Sequence, residues 1–476
     1  MILIRTALAA LVAVAVAACT GGPSGTPGAS PSSAPASAGP DASRVDAGAI
    51  GRAFVEALAA GDTAAAEAME DDTMRSAAPA AALGQLWDQV VGQFGAYQGI
   101  GTVATAAKAP YVNATVATGF ARATLPLIVT VDTDGRVAGL HLGQPGPAPS
   151  GASSAPPSPV ATASPAGYVD PAAFAETDVT VGAAPWALPG TLSMPVGEGP
   201  FPAVVLLAGS GPNDRDETIG PNAPLRDIAG GLASSGIAVI RYDKRTKVYG
   251  AQMAADPANM TVQEETVDDA LAAVALLRRT PGVDPDRVFV VGHSLGGFLA
   301  PRVAQQAKGL VAGIGMLEAN TSPLQAVILD QFEYLASEEG GASPQAVAAL
   351  PAIREQVALV DGGTLSASSP ASALPLGVPA AYWLDLRGYD PAATAAGLAV
   401  PMFIAQGGRD YQVPPSELAG WRSALAGRDD VTFREYPALN HLLIAGTGPS
   451  RPAEYAVPGH VDAALILDLA AWVMAH

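Results

Sequence analysis

One stretch limits what this chain can fold into more than any other. Arg287-Val288-Phe289-Val290-Val291 is an almost uninterrupted β-branched and aromatic run, and Gly292-His293-Ser294-Leu295-Gly296-Gly297 follows it directly. A run without polar alternation reads as a strand covered on both faces of a parallel sheet. The glycines flanking Ser294 permit a turn too tight for ordinary side chains, with the hydroxyl held above the sheet. Phe298, Leu299, Ala300, Val303, Ala304 and Ala307 then give an apolar face at helical spacing. The pattern predicts a helix beginning just after Ser294, with Pro301 in its first turn. A bare glycine-rich turn would have neither the strand before it nor the helix after it.

The length of 476 residues suits more than one domain. Hydrophobic content of 49% against 14% charged residues is ample for a sizeable core. With 44 acidic and 25 basic residues the formal charge is −19, which argues against binding nucleic acid or an anionic lipid surface. Cys19 is the one cysteine, so neither an internal disulfide nor a cysteine-built metal site can form. Residues 1–18 carry Arg5, then an apolar run ending Val16-Ala17-Ala18, and read as a secretory signal peptide. That run is too short for a comfortable transmembrane helix. Cys19 directly after it resembles the lipobox of bacterial lipoproteins. The resemblance implies cleavage before Cys19, its acylation and a tether to the outer face of the cell membrane; plain secretion is the alternative.

Residues 19–43 are rich in Gly, Pro, Ser, Thr and Ala and read as a disordered linker. Residues 44–143 regain a globular pattern, with three helical stripes led by Phe54, Ala64 and Trp87. Strand patterns over 101–106, 111–118, 123–131 and 137–142 follow. Three helices and a meander predict a small α+β domain. It resembles the nuclear-transport-factor-like cone domains found ahead of bacterial hydrolases; no site residues carry over from that likeness. Residues 144–167 are a second Pro/Ser/Ala linker.

Residues 168–476 hold the larger domain. Strand patterns at 177–181, 186–194, 203–208, 237–242, 288–292, 313–317, 402–406 and 431–436 alternate with helical ones at 225–234, 262–278 and 297–307. Such alternation predicts an α/β fold with a mainly parallel sheet, begun by an antiparallel pair. Between about 320 and 400 the alternation stops. Helical patterns at 325–337 and 343–360, then Tyr382-Trp383-Leu384, predict a cap over the mouth of the sheet, its aromatics serving either the substrate or the cap's own core.

A strand, Gly-X-Ser-X-Gly and a helix together resemble the nucleophile elbow of α/β-hydrolases. A serine hydroxyl needs a neighbouring base, and the chain has five histidines. His141 lies in the small domain, His476 is terminal, His293 points away from Ser294 within the elbow, and His460 opens the last helix. His441, in the loop after the last strand, is the candidate base. The imidazole needs a carboxylate to fix its tautomer; Asp410 follows the 402–406 strand directly, whereas Asp429 and Asp430 precede the last strand, at its wrong end. An oxyanion needs two N–H donors, worth about 3–4 kcal/mol each in the transition state. Leu295 is one, and Ser210, in Ala208-Gly209-Ser210-Gly211-Pro212, is the other, with Gly211 as fallback. No cluster has metal-ligand spacing, so no metal or other cofactor is expected.

Gly209-Ser210-Gly211-Pro212-Asn213-Asp214-Arg215-Asp216-Glu217-Thr218, Arg241-Tyr242-Asp243-Lys244-Arg245, the elbow, Gln406-Gly407-Gly408-Arg409-Asp410-Tyr411-Gln412-Val413 and Leu439-Asn440-His441 occur in order. Together they are similar to the EstD-type bacterial esterases of the α/β-hydrolase superfamily, over nearly all of residues 168–476. The resemblance implies hydrolysis of small, short-acyl carboxylic esters. Two departures stand out: Ala208 in place of a histidine before the oxyanion glycine, and Glu318-Ala319-Asn320-Thr321, which lacks an expected arginine. Asp214, Arg215, Asp216, Asp243, Lys244 and Arg245 read as a salt-bridged scaffold around the oxyanion loop. An aminopeptidase with the same triad would need a cap carboxylate for the substrate ammonium, with Glu333, Glu338 and Glu339 as candidates. A surface binding lipoprotein, its ligand held by residues 44–143, is the reading from another class.

Overall fold

A computed structural model describes residues 46–108, 111–121, 123–143 and 165–476. The leader, Cys19, the first linker and most of the second lie outside them. The chain divides into two compact units.

The smaller unit places α1 (Ala47–Ala59), α2 (Thr63–Ala68), α3 (Asp72–Ala77) and α4 (Ala80–Phe94) before β1 (Tyr97–Lys108), β2 (Tyr111–Phe120), β3 (Thr124–Val131) and β4 (Val137–Leu142). The strands pair antiparallel in chain order. Phe54, Val55 and Leu58 of α1 and Leu83, Trp87 and Val90 of α4 share a core with Val116, Leu125, Leu127 and Val129 from β2 and β3. Among the described residues there are four helices where apolar spacing predicts three. The extra one, α3, carries Asp72, Thr73, Arg75 and Ser76 in its six residues and so shows no apolar stripe; it starts because Asp71 accepts the Met74 N–H.

The larger unit holds β5 (Phe174–Val181), β6 (Leu188–Pro195), β7 (Phe201–Leu207), α5 (Pro224–Ser234), β8 (Ala238–Tyr242), α6 (Asp268–Leu277), β9 (Val283–His293), α7 (Leu295–Ala307) and β10 (Gly313–Leu317). Then come α8 (Leu324–Ala336), α9 (Pro344–Asp361), α10 (Ala380–Leu386), α11 (Pro391–Ala396), β11 (Met402–Gly407), α12 (Ser416–Ala424), β12 (Val431–Tyr436) and α13 (Ala463–Ala475). The eight strands form one sheet in the order β12-β11-β10-β9-β7-β8-β6-β5. β6 is antiparallel to both its neighbours and every other pairing is parallel.

Along β9, Val288 and Val290 pack in one cluster with α6, α7 and α12, while Phe289 and Val291 pack in another with α5 and α13. Successive side chains point to opposite faces, and both faces are covered by helices, so the run has no polar alternation to show. Sheet, helical layers and insertion make an α/β-hydrolase fold. The segment from α8 to α10 packs on Leu295, Phe298 and Leu299 of α7 and on Leu442 and Tyr455, whereas Ala395 of α11 joins the sheet-side core. Tyr382 and Trp383 are buried in that cap cluster.

Two local expectations need correction. α7 begins at Leu295, so Pro301 sits in the second turn and leaves the Gly297 carbonyl without its helical donor. The helical pattern over 262–278 opens with a π turn, Gln263–Val267, before α6. That turn carries Glu265, whose carboxylate meets Lys244 Nζ at 3.1 Å.

At the elbow a Cβ on Gly292 would lie 2.1 Å from the Gly296 carbonyl carbon, and one on Gly296 would lie 2.4 Å from the Leu207 oxygen. Gly292→Ala is expected to destabilise the large unit by about 3 kcal/mol or more. Gly363→Ala, where a Cβ meets open space, should leave the urea midpoint within error. Equal midpoints for the two variants would refute this closure.

Candidate active site

Ser294 stands between β9 and α7 at φ 55° and ψ −120°, an uncommon conformation for a residue with a side chain. Its N–H donates to the Leu317 carbonyl at 2.8 Å and its carbonyl accepts from Phe298 N–H at 2.9 Å, so sheet and helix hold the strain from both sides. A Cβ on Gly209 would lie 3.1 Å from Ser294 Cβ, which puts the loop after β7 against the serine.

The loops after β11 and β12 lie back to back. A Cβ on Gly407 would meet the Leu439 oxygen at 2.5 Å and one on Gly408 would meet Pro437 Cα at 2.7 Å. Arg409 N–H donates to Leu439 O at 2.9 Å, and Glu454 takes both Arg409 and Asn440 Nδ2. The result is an Asp410 Oδ2 to His441 Nδ1 hydrogen bond of 2.7 Å, with both residues buried. Asp410 Oδ1 accepts from Gln412 and Val413 N–H at 2.7 and 3.0 Å. Burial alone would raise the Asp410 carboxyl, but the His441 ring and these donors outweigh it and hold it below the usual carboxylate range. The His441 ring is pushed down, by burial first and by the nearby His293, against the pull of Asp410. It is therefore neutral at pH 7, the form a general base needs.

No hydrogen bond joins Ser294 Oγ to the ring among the described residues. Elbow and histidine loop are tied instead by His293 Nε2, which donates to the His441 carbonyl at 2.7 Å. Such catalytic contacts are commonly long without substrate. The other histidines stand apart: His460 Nδ1 meets Asp227 at 3.0 Å, His476 Nδ1 meets the Trp472 carbonyl at 2.8 Å, and His141 lies on β4. Asp430 pairs with Arg428 at the start of β12.

Ser210 and Leu295 line the same pocket as Ser294, and neither N–H has an acceptor among the described residues. The loop is held by its other groups. Gly209 N–H donates to Glu217 Oε1 at 2.7 Å, while the Gly209 carbonyl accepts from Lys244 Nζ at 2.9 Å and Asn213 Nδ2 at 3.0 Å. These side chains support the loop where Ala208 offers no polar group. The charged clusters form the expected scaffold, with Arg215 on Asp243 at 3.2 Å and Arg241 on Asp216 at 2.7 Å. Arg245 departs from it and turns to Asp269.

The pocket wall comes from the cap and the loops: Leu324, Val327, Ile328 and Phe332 of α8, with Leu376 and Val413. Asn320, Gln331 and Gln412 add neutral amides, and no charged residue lines it. Glu333 pairs with Arg354 at 3.0 Å, and Glu338 and Glu339 are exposed.

Esterase EstD of Thermotoga maritima is 37% identical over 421 residues, which span 88% of this chain and 94% of that protein. The chain belongs to the EstD esterase family. Residues 52–140 match DUF3887, a family described as a protein of unknown function. Among solved structures, the Pyrobaculum calidifontis esterase is 16% identical with a TM-score of 0.39, covering 63% of this chain and 85% of its own. A puromycin-hydrolysing peptidase of Mycobacterium tuberculosis is 17% identical with a TM-score of 0.40, covering 79% and 47%.

In this EstD-family chain one buried group escapes motif reading. Glu318 ends the apolar strand β10 at φ 50° and is fully buried. Its Oε1 accepts from Gly407 N–H at 2.7 Å and its Oε2 from Gln406 Nε2 at 2.6 Å. Glu318, Asp410 and His441 bring ligand-type atoms within 4.8 Å of one another. As a metal set they are already engaged, since His441 Nδ1 and Asp410 Oδ2 face each other and both Glu318 oxygens take protein donors. Burial first, then the Asp410 charge, raises the Glu318 carboxyl well above its ordinary value. The two carboxyls are pushed in opposite directions, Glu318 up and Asp410 down, so the negative charge favours Asp410. The sequence signal was an acid placed straight after Gly313–Leu317, a strand buried at every position.

Glu318→Gln keeps a neutral hydrogen-bonding group and should retain most ester turnover, whereas Glu318→Ala should lose about ten-fold or more. The folded state holds the Glu318 proton longer than the unfolded chain, so this group's stabilisation falls as pH rises above the ordinary glutamate range. Wild type should therefore lose more stability than Glu318→Gln between pH 5 and neutrality. Parallel stability–pH curves would contradict a protonated Glu318.

Proposed function

We propose that the large unit hydrolyses short-acyl carboxylic esters through an acyl-enzyme. Ser294 Oγ attacks the ester carbonyl while His441 Nε2 takes its proton, and Asp410 fixes the Nδ1–H tautomer and stabilises the imidazolium. Leu295 and Ser210 N–H receive the oxyanion. His441 returns the proton to the departing alkoxide, then takes one from water, which attacks the acyl carbonyl; collapse frees the acid and Ser294. The observation that carries this reading is the buried 2.7 Å Asp410–His441 bond beside a strained serine. The esterase name of the Thermotoga maritima relative supports it.

The same triad would serve a peptidase. The neutral pocket favours the ester, because Glu333, Glu338 and Glu339 leave it without a carboxylate to receive an α-ammonium. Turnover of p-nitrophenyl acetate and butyrate should fall about ten-thousand-fold in Ser294→Ala, with aminoacyl-nitroanilides cleaved poorly by wild type. Undiminished turnover in Ser294→Ala would remove the mechanism. Faster anilide than ester cleavage would favour the peptidase.

The leader and Cys19 support an exported protein, lipid-anchored to the outer face of the membrane, since several acyl chains on one residue suffice for stable attachment. In the native host, Cys19→Ala should move the esterase from the membrane fraction to the soluble one. Wild type found wholly in the medium would indicate plain secretion.

A further inference from the structure

The residue before the nucleophile has a carboxylate of its own. His293 ends β9 and is 1% exposed. Its Nε2 lies 2.7 Å from the His441 carbonyl oxygen and its Nδ1 lies 3.0 Å from Glu217 Oε2. A carbonyl only accepts, so Nε2 carries a hydrogen. The Nδ1–Glu217 contact needs a second proton between ring and carboxyl. The other Glu217 oxygen accepts from Gly209 N–H at 2.7 Å, which suits a carboxylate. The arrangement is therefore an imidazolium clamped between an anion and a carbonyl.

Each contact ends on a different part of the site. Glu217 reaches the oxyanion loop through Gly209; His293 is joined by its own backbone to Ser294; its Nε2–H holds the main chain of the base. The two histidine rings lie 4.8 Å apart, centroid to centroid, at 46°. We propose that the Glu217–His293 pair is a positioning device for the esterase reaction: it sets oxyanion loop, nucleophile and base in one register and presents a positive charge to the base. This rests on the reading of Ser294, Asp410 and His441 given above.

The charged groups around the pair are few. Glu217 faces His293 from the oxyanion loop, His441 from the loop after β12, and Asp410 from the loop after β11. Lys244 stands on the far side of the Gly209 carbonyl. Burial alone would push the His293 ring down, but Glu217, the His441 carbonyl and Asp410 outweigh it and hold it above the ordinary histidine value. Its charge in turn keeps His441 neutral at lower pH. Protonated His441 is inactive as a base, so the clamp extends activity towards acid.

The test is the pH profile of kcat/KM on p-nitrophenyl acetate for wild type, His293→Gln and Glu217→Gln. Loss of the positive charge frees His441 to protonate more readily, so the acid limb should move to higher pH in both variants, and no further in the double variant. The kcat at the optimum should fall about ten- to hundred-fold through misplacement, with KM little changed. A variant that loses kcat with its acid limb unmoved would reduce the pair to packing and overturn the proposal, as would wild-type kcat and limb together. Should the variants fail to fold, ring-15N-labelled histidine in Ser294→Ala gives a second reading. His293 should show both nitrogens protonated through neutral pH, and an unprotonated Nδ1 there would overturn the clamp. Full turnover by Ser294→Ala or His441→Ala would instead sink the triad reading itself.

Discussion

The large unit depends on a place where backbone meets backbone with nothing between. Gly292 at the end of β9 and Gly296 in the first turn of α7 approach so closely that either Cβ would overlap main-chain atoms. This contact forces the chain to reverse within a few residues and leaves Ser294 at φ 55° with no relaxed alternative. Sterics alone would not hold the strain. The Leu317 carbonyl from the neighbouring strand and the first turn of α7 receive or supply the bonds that do. The same device recurs at Gly407 and Gly408, where the acid-bearing loop and the histidine-bearing loop touch through their main chains. Missing side chains, more than attractive contacts, bring three distant segments to one rim.

Once the segments are that close, desolvation decides the rest. Ionised groups in a buried site are costly unless paired, and those at this rim come in couples. Glu217 faces His293 and Lys244 faces Glu265, while Asp410 bonds the neutral His441 ring and the Gln412 and Val413 N–H groups. Glu318 has its carboxyl raised well above the ordinary value by burial and by the Asp410 charge. The couples share members with the hydrogen-bonded loops: Lys244 and Glu217 hold opposite polar groups of Gly209. The charges needed for chemistry are thus also the ties that shape the oxyanion loop, and a change to one is felt at the other.

Sequence reading went furthest where steric necessity leaves few choices. The elbow, Asp410 after β11 and His441 after β12 were readable because glycines, apolar runs and the order of chemical groups each limit the alternatives. Strand β10 was readable residue by residue for the same reason, since a strand covered on both faces announces itself. What escaped depended on contacts across long separations. Glu318 looks like any acid in a loop until β11 brings Gly407 and Asp410 against it. Glu217, within a run of charged residues, gives no sign of which one turns inward. Helix α3 escaped because its six residues are mostly polar and leave no apolar period. The π turn at Gln263–Val267 escaped because an apolar stripe registers a helix, not the extra residue that re-aims Glu265.

The cap answers to different physics from the rim beneath it. Its contribution to the pocket is apolar surface from α8, with neutral amides at the edges, and its aromatic weight lies elsewhere: Trp383 is buried in the cap core and Tyr382 OH reaches Glu265 at 3.0 Å. Acyl binding against such a wall scales with apolar area, about 25 cal/mol per Å², and does not discriminate strongly between chains that differ by one methylene. On the proposed mechanism, reactivity rests instead on polar groups fixed to the ends of β7, β9, β10, β11 and β12. Substitutions at Val327, Ile328 or Phe332 therefore act on which acyl groups are held, through the size of the wall they leave. They reach the chemistry only through α7, whose Leu295, Phe298 and Leu299 belong to the same apolar cluster as the cap. On the proposed mechanism Leu295 is the shared point: its side chain packs under the cap while its N–H would receive the oxyanion, so a cap substitution large enough to tilt α7 would trade acyl preference for rate.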